Sequence, residues 1–86
     1  MRYEKRLERL LSKPSDYTFT EAKSLLNSLG YEMKNKGSTS GSKVMFYRQR
    51  DNHKILLHKP HPSDEMKKYA INDLIEALKE GGDIDG

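Results

Sequence analysis

His58 and His61 flank Pro60 at the end of a stretch where cations crowd together. Imidazole ordinarily titrates near neutral pH, so either ring can accept or deliver a proton under working conditions. Upstream, Lys43 follows the glycine- and serine-rich run Gly37-Ser38-Thr39-Ser40-Gly41-Ser42. Amides and hydroxyls in such a run carry little side-chain bulk, and an ammonium beside them can hold a phosphate. The run lacks the Gly-x-x-x-x-Gly-Lys-Ser/Thr spacing, so it does not read as a nucleotide-binding P-loop. The three histidines, His53, His58 and His61, form no zinc-ligand pattern and have no cysteine to help them, so neither a metal nor another cofactor is expected.

Residues 34–59 carry seven cations (Lys34, Lys36, Lys43, Arg48, Arg50, Lys54 and Lys59) against one acid, Asp51. That stretch is +6 where the whole chain is +3, so the remainder sums to −3. Cations gathered in this way point to a polyanion held on one face. They fall on predicted strands rather than along an amphipathic helix, which favours nucleic acid over an anionic membrane surface. Ser42, Arg48, Arg50, Lys54 and Lys59 are the candidate backbone contacts beside Lys43, and Tyr47 is placed to stack on a base. His53 sits in a turn and reads as a bystander.

The elements that must position these groups fit one small domain, because 86 residues at 34% hydrophobic content leave no material for a second core. Tyr3, Leu7, Leu10 and Leu11 recur at helical spacing and predict a short helix ending before Ser12-Lys13-Pro14, an N-terminal extension over residues 1–13. Thr18 followed by Glu21 is a capping box opening a second helix, with Ala22, Leu25, Leu26 and Leu29 as its buried stripe and Gly30 closing it. Strands are predicted over residues 31–35, 43–48 and 54–58, the last two joined by a turn at Asp51-Asn52. Alternation puts Val44 and Phe46 on one side of the middle strand and Lys43, Met45 and Tyr47 on the other. Ile71, Leu74, Ile75 and Leu78 mark a final helix before Gly81-Gly82, and residues 83–86 read as a frayed tail. The fold class is therefore α+β: a three-stranded antiparallel sheet with helices on one face. Its α-β-β-β-α order over residues 18–81 is that of double-stranded-RNA-binding domains, with an extra N-terminal helix. The charged start and the lack of an apolar run near the roughly 20 residues needed to cross a bilayer argue against a signal peptide or membrane span. With no cysteine present, the protein is expected in the reducing cytoplasm.

From Thr20 onward the chain runs through a helix, Leu29-Gly30-Tyr31, a basic strand, Lys36-Gly37-Ser38, a hairpin, Pro60-His61 and a helix with Ile71, Leu74 and Ile75. This succession resembles the HicA toxins, small bacterial messenger-RNA interferases made beside a HicB antitoxin that blocks them. The resemblance implies metal-independent RNA cleavage, with mRNA and a HicB-like antitoxin as partners and no membrane. It also implies a histidine after Gly-Ser at the start of the second strand. Here Gly37-Ser38 is followed by Thr39-Ser40, and Gly41-Ser42 by Lys43-Val44, so the histidine is missing in either register. Gly41-Ser42-Lys43 leads directly into the strand, and Lys43 is taken to occupy the histidine's place. The family's Pro-x-His element falls on His58-Lys59-Pro60-His61-Pro62, where either histidine matches. Metal-free RNA cleavage needs a base for the 2′-hydroxyl, a proton donor for the departing 5′-oxygen and positive charge at the phosphorane-like transition state. His58, His61 and Lys43 are the candidates for those roles. The alternatives are a noncatalytic RNA-binding regulator on the same fold, or a module whose basic face meets an acidic protein.

Overall fold

The computed structural model describes residues 2–34, 43–60 and 63–84. In chain order the elements are α1 (Arg2–Leu11), α2 (Phe19–Ser28), β1 (Glu32–Met33), β2 (Lys43–Arg48), β3 (His53–His58) and α3 (Lys68–Glu80). The strands form one antiparallel sheet in the order β1-β2-β3. Val44, Phe46, Ile55 and Leu57 point from one sheet face into a core completed by the stripes of α2 and α3. Phe19 of α2 meets Phe46 of β2 with ring centroids 6.3 Å apart. The α+β class, the element order and the one-sided helical layer agree with the double-stranded-RNA-binding-like fold. No helix among the described residues is long and apolar enough to cross a membrane.

Local chemistry fixes where each helix begins and ends. At the start of α2 the Thr18 hydroxyl accepts from the Glu21 amide at 3.1 Å, and the Thr18 amide donates to the Glu21 carboxylate at 3.3 Å. Asp64 secures the same end from a distant segment, its carboxylate accepting from the Thr20 amide at 3.0 Å and the Thr20 hydroxyl at 2.7 Å. These two bonds hold the Asp64 carboxyl below its ordinary range. At the other end Gly30 adopts φ of +99°, and the Tyr31 amide reaches back to the Leu26 carbonyl at 2.9 Å. Tyr31 therefore completes the helix closure instead of opening the first strand, which is shorter than the sequence suggests. Beyond β1, the Lys34 amide still donates to the Met45 carbonyl at 2.7 Å.

Both ends of the described chain are held to the core. The N-terminal helix covers its own domain: α1 packs on α2 and α3, and its Leu10 is fully buried in the common core. Arg9 pairs with Glu21 and Asp16, and its guanidinium lies 5.8 Å from the centre of the Tyr17 ring. Burial pushes the Tyr17 phenol up to about 12. At the other terminus, Asp83 is tied down by its amide, which donates to the Leu78 carbonyl at 2.9 Å, and Ile84 packs against the core.

If α1 shares the core, Leu10→Ala should lower unfolding free energy by about 3 kcal/mol, the usual cost of emptying a leucine site. Leu11 next to it is 45% exposed, and Leu11→Ala should change stability by less than about 0.5 kcal/mol. Urea denaturation of the two variants checks both values.

Candidate functional site

The β2–β3 hairpin is six paired residues long, and its register decides which side chains can act together. Lys43 stands directly opposite His58, Met45 opposite Leu56, and Tyr47 opposite Lys54. All six lie on the face turned away from the helices, because the intervening positions are the buried ones. Directly opposed residues in an antiparallel pair have Cβ atoms about 5 Å apart. The Lys43 ammonium and the His58 imidazole can therefore reach a single phosphodiester. Tyr47 and Lys54 lie about 13 Å further along the same face, four residues at the usual strand rise. The Tyr47 hydroxyl donates to the Asn52 side chain, which ties the end of the ring to the turn.

The remaining predicted site residues fall elsewhere. Arg50 is exposed in the turn, at the end of the hairpin remote from Lys43 and His58. Lys59 follows β3 and lines a groove with Thr20, Lys23 and Asp64 at the start of α2. Ser42 and His61 lie outside the described residues. His53 faces the core side, opposite Arg48, with Nε2 2.9 Å from the Ala77 carbonyl and its ring edge-on to Tyr31. It braces β3 against α3.

Arg48 requires a correction. Expected among the RNA contacts, it is 1% exposed and sits on the packed face. Asp51 takes Nε and one terminal nitrogen at 3.0 and 2.8 Å, and Asp83 accepts from the other at 2.7 Å. The carbonyls of Leu29 and Gly81, at the C-terminal ends of α2 and α3, accept further bonds at 3.2 and 3.0 Å. The guanidinium also lies 4.4 Å from the centre of the Tyr31 ring. A cation placed at two helix C-termini is favoured by both helix dipoles. With its donors engaged inside the protein, this charge is committed to the fold and not to a polyanion. Alternation along β2 already carried the signal, since position 48 shares parity with Val44 and Phe46.

Sequence reasoning counts Lys34 in the basic stretch without naming it as a contact, and misses Lys23 altogether. Lys34 lies beside β2 at the Met45 level and pairs with Glu32 at 3.4 Å, an exposed contact worth little. Lys23 enters the Lys59 groove from α2. Lys34 could have been found from its place in the basic stretch once β1 was paired with β2. Lys23 could not, because its proximity to Lys59 depends on the tertiary fold.

A family model described as the HicA toxin of bacterial toxin–antitoxin systems matches residues 19–80, from the first residue of α2 to the last of α3. Neither a curated protein nor a solved structure matches the chain.

Two variants test the division between the sheet's faces. Replacing Arg48 with Met leaves Asp83 buried without its partner and should cost about 3 kcal/mol, whereas Lys54→Gln should shift stability by less than about 0.5 kcal/mol. Thermal melts of both distinguish them. Acid provides a second check. The Arg48 guanidinium draws the Asp51 carboxyl down to about 2 from its ordinary 3.8. A carboxyl held lower in the folded than in the unfolded state stabilises fully above its unfolded value, and that contribution is lost as pH falls through about 2. Wild type and Asp51→Asn should therefore differ in melting temperature near neutrality and converge around pH 2. A gap that persists at that pH contradicts the assignment.

Proposed function

As a member of the HicA toxin family of bacterial toxin–antitoxin systems, this chain is, we propose, a metal-independent endoribonuclease that cuts messenger RNA in the cytoplasm and is neutralised by a HicB-like antitoxin. The observation that carries the reading is the register pair of Lys43 with His58 on the exposed sheet face. The pair combines a proton-transfer group with a positive charge at one point, and Lys54, further along the same face, is proposed to hold the flanking backbone. The basic excess of the hairpin region supports a polyanionic substrate.

In the proposed reaction a histidine takes the proton from a ribose 2′-hydroxyl, and that oxygen attacks the adjacent phosphorus. The bond from phosphorus to the 5′-oxygen breaks as a second group delivers a proton to that oxygen. The products are a 2′,3′-cyclic phosphate and a 5′-hydroxyl, with no net proton gained or lost. His58 and His61 are assigned the two proton transfers, and Lys43 stabilises the extra negative charge on the phosphorane-like centre. Lys43 is assigned the role of a charge beside the phosphorus and takes no part in the proton transfers.

Lysine where the family carries histidine also favours a second reading, an RNA-binding regulator that no longer cuts. One set of assays separates them. His58→Ala and His61→Ala should each reduce cleavage of a defined RNA by about 100-fold or more. Lys43→Arg should retain more activity than Lys43→Met. Binding by Lys54→Gln should weaken with a salt slope shallower by about 0.7, the loss of one phosphate contact on a single strand. Full activity in both histidine variants overturns the assignment, and salt-sensitive binding by wild type without any cleavage favours the regulator.

A further inference from the structure

The middle of the exposed sheet face is apolar, although every surrounding position is polar or charged. Met45 and Leu56 are directly opposed there, and Leu56 is 57% exposed. Neither side chain touches the core side of the sheet, so folding gains little from their being apolar. An apolar pair on an open sheet face, with Leu56 exposed and Met45 half-buried, is also an aggregation liability, one that strands commonly avoid with charge. Its neighbours on the face are Lys43 and His58 at one end, Tyr47 and Lys54 at the other, and Lys34 alongside. Glu32 is the lone acid on this face among the described residues, and Lys34 partners it.

From this arrangement we infer that Met45 and Leu56, continued by the Tyr47 ring, form a platform for unpaired nucleobases of an RNA single strand. The strand's phosphates rest on Lys43 at one end and Lys54 at the other. The inference rests on the ribonuclease reading for the location of the cut, but the platform itself is a binding site that holds with or without cleavage. Apolar and aromatic surfaces accept the flat face of any base, whereas cations track the backbone beside them. A duplex offers this face only ribose and phosphate, because its bases are stacked on one another. Charge complementarity selects the occupant: three lysines frame the apolar strip, as a polyanion requires and a neutral protein surface does not. The platform also implies that bases next to the cut are held by stacking and not read by hydrogen bonds, so sequence preference there should be weak.

The test uses the cleavage-deficient His58→Ala chain, so that binding can be measured without turnover. Its affinity for a 12-nucleotide unstructured RNA is compared with that for the same strand annealed to its complement, before and after adding Met45→Ser with Leu56→Ser. Removing the platform should weaken single-strand binding by about tenfold, the scale of one lost stacked base, with little effect on the duplex. The melting temperature should not fall, since neither residue supports the core. On the otherwise wild-type chain the same double substitution should raise KM more than it lowers kcat. Equal affinity for single strand and duplex, or unchanged single-strand binding in the double variant, overturns the platform while leaving cleavage by wild type intact. Loss of binding to an antitoxin in the double variant, with RNA affinity unchanged, also overturns it and reassigns the strip to a protein partner. Conversely, platform-dependent binding by a wild-type chain that never cuts RNA supports the platform and removes the ribonuclease reading.

Discussion

One buried guanidinium holds the hairpin to both flanking helices. Arg48 stands at the last position of β2, where strand alternation directs it inward, and receives the carbonyl ends of α2 and α3 together with Asp51 and Asp83. Buried charge is tolerable only when paired and hydrogen-bonded, and here the partners come from three separate segments: the end of α2, the β2–β3 turn and the end of α3. The clamp leaves little room around it. Gly30 passes so near that an added Cβ would sit 3.3 Å from the Arg48 side chain, and one on Gly81 would sit 2.7 Å from the His53 ring. Tyr31, under the guanidinium, donates its hydroxyl to Asp83 at 3.1 Å, and burial together with that carboxylate drives its phenol upward. By anchoring one end of the hairpin, the cluster sets the position of the strands that carry Lys43, Tyr47, Lys54 and His58.

The consequence for function is a separation of charges. Cations that look equivalent along the chain divide between an internal fastening and an exposed face, and only the second group can meet a partner. The exposed set is ordered by hairpin register, which is rigid because a slip of one residue would turn Phe46 and Ile55 to solvent. The ladder fixes where each of these side chains leaves the backbone. The segment after β3 is anchored too: Asp64 and Met66 are bonded to Thr20, Phe19 and Tyr17 at the entry to α2. This fixes the chain from Asp64 to Met66.

Local signals predicted the elements well and the partnerships poorly. The capping box of Thr18 and Glu21, the left-handed Gly30 and the alternation of β2 depend on a few neighbouring residues, and all three appear as read. The extent of β1 was misjudged because the Tyr31 amide is claimed by the helix before it, a competition that propensity does not register. The burial of Leu10 and the anchoring of Asp83 depend on residues distant in sequence, so helix periodicity and a terminal position suggested an extension and a frayed end. On the candidate site, Lys43 and His58 are both named from sequence, but their direct opposition depends on β3 starting at His53, one residue earlier than the strand signals indicate. Arg48 was misplaced because charge was weighed above parity, although parity held.

In the proposed reaction the Lys43–His58 end of this sheet promotes attack by a ribose hydroxyl on its own phosphodiester. Incubating the purified chain with a 5′-labelled RNA in the presence of a metal chelator, and analysing the new ends, tests it most directly. The account predicts fragments ending in a 2′,3′-cyclic phosphate with 5′-hydroxyl partners. Fragments with a 3′-hydroxyl and a 5′-phosphate, or RNA left whole, would contradict it.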